Sequence, residues 1–343
     1  VELQQEFTNS KVYKNKGGNP DTLQTDDQVQ NKQFFLFSQA TLELEKGWIF
    51  TAGASLNLLT VDFNRISFPS SDQTKKFNNE VAPRFAVLKK ITPLVSLFAS
   101  VSRGFSPPTT AELLPSTGVI STALQAEHGW NFEGGLKGNL LKGKIFFDLN
   151  VFYLRLSNTI AARRDFSGGD YFVNAGNTKQ NGVESFVSYR LYDQANTFIN
   201  HIKIWGSYTY SNFHYANFEK IAADTSILSG KRLPSIAPNY LSAGIDITTT
   251  LGFYVNSSYY YSDPIPLNDV NTAYASSYNL MNARIGFRKV FSDKIYGNFF
   301  VAGDNLFNVK YSLGNDINAA GKRYYNASPE RNYSVGISMR YNW

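Results

Sequence analysis

Residues 332–343 read NYSVGISMRYNW, and every second residue of this stretch is apolar or aromatic. Serine, glycine, arginine and asparagine fill the alternate positions. A repeat of two is typical of a β-strand whose two faces meet different surroundings. The same alternation recurs over residues 145–153 and 183–191, so several long strands with one apolar face are predicted. In the last strand that face comprises Tyr333, Val335, Ile337, Met339, Tyr341 and Trp343.

The connections between these strand-like stretches alternate between short and long. Short turns are expected near residues 45–47, 89–93, 139–142, 249–252 and 291–294, with a somewhat longer one at 193–200. Long polar segments are expected at 14–28, 64–79, 106–127, 158–179, 215–235, 263–276 and 307–328. Transmembrane β-barrels have short turns on one side and long loops on the other. The sequence therefore predicts an all-β, transmembrane antiparallel β-barrel, with about 14 strands in this chain.

The composition agrees with a barrel and excludes a helical membrane protein. The chain has a mean hydropathy of −0.28 and 15% aromatic residues. No stretch approaches the roughly 18 consecutive apolar residues that a membrane-spanning helix needs. In a closed barrel the polar alternate face lines a wet lumen, so a negative mean hydropathy is expected. Interfacial girdles are expected from aromatic residues near strand ends, namely Trp48, Phe105, Trp130, residues 259–261, Tyr296, Tyr341 and Trp343.

Other classes of fold and function fit the sequence less well. A soluble β-sandwich or propeller is the rival fold, but no blade repeat of about 40 residues is visible. Zero cysteines, three histidines and the lack of a nucleophile elbow or phosphate-binding loop predict no enzyme, no cofactor and no metal site. The net charge of +6 is spread along the chain, which argues against a nucleic-acid partner. Residues 17–21 with Asp26 and Asp27 give a weak calcium pattern that a turn explains equally well.

Several short strings, in order along the chain, carry a family resemblance. The last two thirds of the sequence resembles the C-terminal part of the barrel of a TonB-dependent outer-membrane receptor, in particular the ferric-siderophore receptor group. The strings are LFASVSRGFSP at 97–107, FEGGLK at 132–137, NAGNT at 174–178 with GVE at 182–184, LP at 233–234 with PNY at 238–240, DNLFN at 304–308 with Tyr311, and Arg331 to Tyr333 with the terminal Trp343.

The resemblance implies more protein than this chain contains. Family members have an N-terminal plug domain inside a barrel of about 22 strands. Residues 1–343 are therefore expected to form the C-terminal portion of such a barrel, without the plug domain and without the first strands. Two alternatives remain open at this point. The chain would otherwise be a self-contained, passive 14-stranded porin-like channel, or a barrel whose long loops bind a protein partner.

The function implied by the resemblance is energy-coupled uptake of a ferric-siderophore-type chelate across the outer membrane of a Gram-negative bacterium. The expected partners are the chelate, outer-membrane lipid and lipopolysaccharide, and the TonB complex, which would act through the plug domain. Haem uptake is disfavoured because residues 105–108 read FSPP where haem receptors have a different segment. Copper uptake is disfavoured by two methionines and no cysteine, since soft ligands suit that metal.

An anionic chelate needs cationic and aromatic side chains in a vestibule, because guanidinium groups bind oxygen ligands and low-dielectric walls focus the field. The long segments offer such groups. Each of them taken singly is also explained as a solvated loop charge or a contact to lipopolysaccharide phosphate. The candidate ligand-binding residues are Arg103, Arg163, Arg164, Lys231, Arg232, Lys322, Arg323, Tyr324 and Tyr325.

Overall fold

The computed structural model describes residues 1–115, 120–164, 169–174, 176–217 and 228–341. Within this part of the chain the strands are β1 Glu2–Lys16, β2 Asn19–Leu44, β3 Trp48–Arg65, β4 Ser71–Lys76, β5 Glu80–Thr92, β6 Val95–Ser106, β7 Glu127–Leu140, β8 Ile145–Ser157, β9 Ile160–Arg164, β10 Asp170–Asn174, β11 Asn177–Asp193, β12 Ile199–Tyr215, β13 Asn239–Thr249, β14 Phe253–Ser262, β15 Ile265–Pro266, β16 Tyr274–Ala275, β17 Tyr278–Ser292, β18 Ile295–Asp304, β19 Ser312–Asn315, β20 Tyr325–Ala327 and β21 Asn332–Tyr341. The helices are α1 Thr110–Leu113 and two 3-10 turns, Glu45–Gly47 and Ala320–Lys322.

One large antiparallel sheet carries the fold. Fourteen strands follow a single path in the order β1-β2-β3-β5-β6-β7-β8-β11-β12-β13-β14-β17-β18-β21, and β4 pairs only with β3. Each strand therefore lies beside its nearest long neighbour in the sequence, as in an up-and-down barrel wall. The predicted count of about 14 antiparallel strands is confirmed. Among the described residues, no helix is long and apolar enough to cross a membrane.

The outward face of the sheet is apolar from one edge to the other. In β21, Val335, Ile337 and Met339 are at least 66% exposed although all three are hydrophobic. The register pairs Val335 with Val301 and Ile337 with Phe299, so the apolar positions of neighbouring strands share one face. The same holds where Val151 pairs with Val183. A face of this composition is stable in contact with lipid, and the oily faces predicted from the sequence are confirmed as one continuous surface.

The opposite face, called here the lumen face, contains aromatic rings that lie across glycines of the neighbouring strand. In each pair the ring occupies the space that a Cβ atom on the glycine would take. Glycine is therefore required there by close approach to the ring, which covers the bare backbone. The pairs are Phe98 with Gly135, Phe152 with Gly182, Trp205 with Gly244, Tyr254 with Gly286 and Phe300 with Gly336.

The two ends of the sheet differ as the sequence predicts, with one exception. Short turns join the strands at one end, and folded segments with small hairpins such as β9–β10 join them at the other. The exception is residues 14–28, expected as a long polar loop. There β1 and β2 remain paired up to a two-residue turn at Gly17 and Gly18, both with positive φ. Polar side chains on both faces conceal a strand from a hydrophobicity pattern, and consecutive glycines permit the tight turn.

The acidic residues in this hairpin have other partners than the calcium ion considered above. Asp26 lies 3.3 Å from the Lys11 ammonium, and Asp27 accepts from the Arg65 guanidinium at 2.6 Å. These ion pairs give each carboxylate a cationic partner within the chain, while Asp26 Oδ1 is buried without a hydrogen-bond partner. Ala175 and Trp343, which belong to the strings quoted from the sequence, lie outside the described residues.

The role of the ring-over-glycine pairs in stability can be tested by adding one methyl group to a glycine. Gly182→Ala should destabilise the barrel by about 1–3 kcal/mol, because the new Cβ atom would meet Phe152 Cζ at 2.8 Å and the backbone of β12. Gly134→Ala is the matched control, since the nearest atom to its Cβ is 3.7 Å away on the outward face. Urea unfolding in detergent micelles, followed by circular dichroism, measures both. Equal midpoints for the two variants would contradict this account.

Candidate functional site

The long-connection end of the sheet is filled by two buried clusters, and the first is apolar. Val61 and Phe63 of β3 lie on the lumen face and are at most 2% exposed. Leu113 of α1 packs against them, and Thr109 and Glu112 form a capping box that fixes the start of this short helix. The complete set is Val29, Val61, Phe63, Phe77, Leu113 and Leu124. Burial of these side chains holds α1 and the residues around Leu124 in the mouth of the barrel.

The second cluster joins the segments 263–277 and 305–331. Leu267, 1% exposed, packs with Ala275, Ala319 and Tyr324. The backbone continues the contact, because the Asn318 N–H donates to the Leu267 carbonyl at 3.0 Å. Tyr324 is thus a packing residue of the cluster, and its ring is mostly withdrawn from solvent.

Asp269 is the polar centre of this end of the molecule. Its carboxylate accepts from the Tyr215 hydroxyl at 2.7 Å and from the Arg163 guanidinium, and its backbone N–H donates to Asn318 Oδ1 at 3.1 Å. The residue is 7% exposed, so the charge requires these partners. Asp269 therefore connects the segment 263–277 to β9 and the end of β12 through its carboxylate, and to the segment 305–331 through its backbone N–H.

Tyr215 remains a hydrogen-bond donor to Asp269 over the physiological pH range. The residue ends β12 beyond the apolar outward band. Burial raises the pKa of its hydroxyl well above the usual range, and the charge of Asp269 and the hydrogen bond to it raise it further. The network therefore contains one negative group, one positive group and one neutral donor, a charge-balanced arrangement.

The β9–β10 hairpin spans both clusters. Ile160 and Phe172 pack against the apolar cluster, whereas Arg163 reaches Asp269. At its base, Asn174 Oδ1 accepts from the Gln125 N–H at 2.7 Å, and the Asn174 amide donates back to the Gln125 carbonyl at 3.0 Å. The two strands of the hairpin are thus held from two sides.

Glu127 holds the first residue of β9. Its carboxylate accepts from the Ile160 N–H at 2.6 Å. Burial raises the pKa of this carboxyl, while the hydrogen bond from Ile160 opposes the shift. Glu127 lies beyond the apolar band, at the level where the folded segments begin.

The structure separates the predicted ligand-binding residues into groups. Arg163 is engaged with Asp269, and Tyr324 is buried. Lys231, Lys322, Arg323 and Tyr325 are exposed on the folded segments. The Lys231 carbonyl accepts from the Tyr215 N–H at 2.9 Å. Lys231 is therefore the cross-strand neighbour of Tyr215 and lies on the same side of the wall. Arg164 ends β9, and its side chain lies outside the described part of the chain.

Arg103 and Arg232 do not face the vestibule. Arg103 alternates with Val101 and pairs with Trp130, both on the outward face. Its guanidinium donates to the Glu80 carboxylate at 2.8 Å and to the Val81 carbonyl at 2.6 Å. Arg232 is bridged to His214, which lies on the same outward face of β12. Strand parity, not proximity to a loop, decides the side of the wall on which each of these two arginines lies.

The sequence did not single out Asp269 or Tyr215, which are ordinary polar residues in a long polar segment or at a strand end, with no motif around them. Asn174 belongs to the NAGNT string quoted above, but its contact with Gln125 was not predicted. Arg163 and Asp269 are separated by 106 positions in the chain. No local pattern reports a contact over that separation.

An antiparallel wall with a lipid-compatible outer face, short turns at one end and folded segments at the other defines a transmembrane β-barrel with an organised mouth. Comparison with known protein families identifies the kind of barrel. The family described as "TonB dependent receptor-like, beta-barrel" matches residues 2–306. The chain belongs to this family, whose members are receptors and transporters of the Gram-negative outer membrane.

Individual relatives are more distant and longer. The metal-pseudopaline receptor CntO of Pseudomonas aeruginosa is 28% identical over 198 residues, which are 56% of this chain and 25% of that receptor. Among solved structures, the ferric citrate transporter FecA is 16% identical with a TM-score of 0.76, covering 98% of this chain and 50% of its own. The ferric yersiniabactin receptor FyuA from Yersinia pestis is 16% identical with a TM-score of 0.71, covering 99% and 49%. These structures share the fold, and this chain spans about half of their length.

The role of Asp269 can be measured by its removal. Asp269→Asn should loosen the contacts among the four segments by about 1–3 kcal/mol, because the partly buried Arg163 loses its counter-charge. Hydrogen exchange should accelerate in residues 263–277 while the sheet remains protected. Asp193→Asn is the control, since this exposed carboxylate has its partners, Arg190 at 3.4 Å and His201 at 3.6 Å, at the short-turn end. Unchanged exchange in 263–277 would show that Asp269 does not hold this region.

Proposed function

We propose that the protein is an outer-membrane receptor and transporter for a ferric-siderophore-type chelate, with uptake energised through TonB. The observation that carries the proposal is the family match over residues 2–306. The names of several relatives support a chelate as the ligand class, since they concern metal-pseudopaline, ferric citrate and ferric yersiniabactin. A copper transporter, OprC, has the same fold at 14% identity, so the fold alone does not select the metal.

The mouth of the barrel supports recognition of an anion. The Arg163 charge is balanced by Asp269, so the positive potential of the vestibule arises from Lys231, Lys322 and Arg323 on exposed positions. Tyr325 is 61% exposed beside them and offers a ring and a hydroxyl. Cationic donors above low-dielectric walls attract an anionic, oxygen-rich chelate. The buried network beneath them reduces the loss of loop entropy on binding.

We further propose that the chain is the C-terminal portion of a larger barrel, preceded in the intact protein by the remaining strands and a plug domain that contacts TonB. Its location is the outer membrane of a Gram-negative bacterium. The sheet order supports this, because β1 and β21 are its two edges in the described residues. An unpaired sheet edge is unfavourable in lipid, so further strands are expected beside them.

The intact mass of the native protein, extracted from outer membranes in detergent, tests this architecture. A mass near twice 38.5 kDa, with additional sequence before Val1, is the expected result. A mass of 38.5 kDa would instead favour the passive 14-stranded channel. Conductance in planar bilayers would then be high and independent of TonB.

The vestibule cations yield a second prediction for the intact receptor. Lys231→Ala combined with Arg323→Ala should weaken binding of an anionic ferric chelate by about 1–3 kcal/mol, because two charge-assisted contacts are lost. Calorimetric titration with a panel of ferric citrate, catecholate and hydroxamate complexes measures the effect. Lys142→Ala combined with Lys144→Ala removes the same charge at the short-turn end and should leave affinity unchanged. An equal loss in both double variants would assign the effect to net charge alone.

A further inference from the structure

Two adjacent basic residues occur at six places in the sequence. An endoprotease with carboxylates in its cleft recognises such pairs by their charge. A folded chain is cut only where it is exposed and where its backbone can leave its own hydrogen bonds. Exposure and backbone bonding therefore decide which pairs are substrates. The six are Lys75–Lys76, Lys89–Lys90, Arg163–Arg164, Lys231–Arg232, Arg288–Lys289 and Lys322–Arg323.

Five of the six pairs are held by backbone hydrogen bonds. The Lys231–Arg232 pair follows β12, and the Tyr215 N–H donates to the Lys231 carbonyl at 2.9 Å. The Asn271 side chain accepts from the Arg232 N–H at 2.7 Å and donates to the Arg232 carbonyl at 2.9 Å. The other four lie inside paired strands, namely Lys75–Lys76 in β4, Lys89–Lys90 in β5, Arg163–Arg164 in β9 and Arg288–Lys289 in β17.

The sixth pair, Lys322–Arg323, lies in the turn between β19 and β20. Both residues and Gly321 are exposed, and Gly321 and Lys322 have positive φ angles of 64° and 58°. Within the described ranges, the backbone bonds from this turn to neighbouring segments end at Asn318 and resume at Tyr324. This short stretch can become extended in a protease cleft without breaking a ladder.

Both ends of the turn are anchored. Ala319 and Tyr324, on either side of the pair, are each 8% exposed and pack in the cluster around Leu267. The chain after the turn continues into β21, which is paired with β18 along its whole length. A cut between Lys322 and Arg323 would therefore leave both new ends attached and the barrel assembled.

We propose that the Lys322–Arg323 bond is a processing site for an endoprotease specific for paired basic residues, acting from the cell exterior, where long barrel connections lie. Water adds to the Lys322 carbonyl carbon, and the C–N bond to Arg323 breaks. The hydroxyl of water stays on Lys322, and its hydrogen passes to the Arg323 nitrogen. At neutral pH the new ends are a carboxylate and an ammonium group.

The cut would modify the recognition surface. It places a carboxylate among the vestibule cations, where like charge opposes an anionic ligand. The processed receptor therefore binds an anionic chelate more weakly than the uncut one. This consequence rests on the proposed function, whereas the position of the cut depends only on exposure and backbone bonding.

The test treats the intact receptor in detergent with an endoprotease that cleaves between adjacent basic residues, followed by mass spectrometry over time. The fragment 323–343 should appear at least about tenfold faster than a cut at any other pair within residues 1–343. It should elute with the remainder of the barrel until the protein is unfolded. Lys322→Gln combined with Arg323→Gln should stay uncut, and unfolded receptor should be cut at all six pairs. A first cut at another pair of the six would overturn the proposal, as would a resistant Lys322–Arg323 bond in the folded receptor.

A second variant tests the reason for the selectivity. Asn271→Gly removes two hydrogen bonds from Arg232, and glycine tolerates the φ of 58° at this position. Cutting at Lys231–Arg232 should become about tenfold faster, while the rate at Lys322–Arg323 is unchanged. An unchanged rate at Lys231–Arg232 would overturn backbone bonding as the cause of protection.

Calorimetric titration of cut and uncut receptor with ferric citrate separates this proposal from the transport function. The cut should weaken binding about fivefold. The site itself is identified by fragment masses without any chelate, so a receptor that binds no chelate leaves that result standing. Equal affinity in fully cut and uncut receptor would overturn the effect on recognition.

Discussion

Every backbone N–H and C=O group inside a bilayer must find a partner within the protein, and the rest of this structure depends on that requirement. Between the two edge strands the requirement is met by one antiparallel ladder that extends from β1 to β21. Because the ladder fixes the register, it also fixes which side chains share a face. Lipid contact and the ring-over-glycine pairs are both consequences of parity along registered strands.

The wall was predictable from sequence because the signal for it is local. Apolar and polar residues alternate over 145–153 and 332–341, and this local pattern is enough to predict a strand with one apolar and one polar face. The structure confirms these faces. The β1–β2 hairpin was missed over residues 14–28 because both its faces are polar there, which removes the periodic signal. The Asp269 network was not predictable, since it joins residues as far apart as Arg163 and Asp269, and only the closed arrangement of the folded segments creates it.

Strand parity also changes the meaning of individual basic residues. Arg163 and Arg232 are both arginines near the mouth, but one lies on the inner side with Asp269 and the other on the outer side beside His214. A sequence shows how many cationic residues a loop contains. It does not show on which side of the wall they lie, unless the strand register continues into the loop. Here the register does continue, through the bridge between His214 and Arg232. It therefore sorts the candidate residues by the side of the wall on which they lie.

Charge balance in the mouth follows from where the buried carboxylate lies. Asp269 neutralises Arg163, and the protonated Tyr215 adds a donor without a charge, so the interior of the network contributes little net potential at a distance. In the proposed function, the attraction for an anion comes from side chains on exposed positions, where lysine and arginine are free to adapt to a bulky ligand. Rigidity and recognition are then assigned to different residues. Asp269 links four segments through its carboxylate and its backbone N–H, and the exposed cations supply the charge.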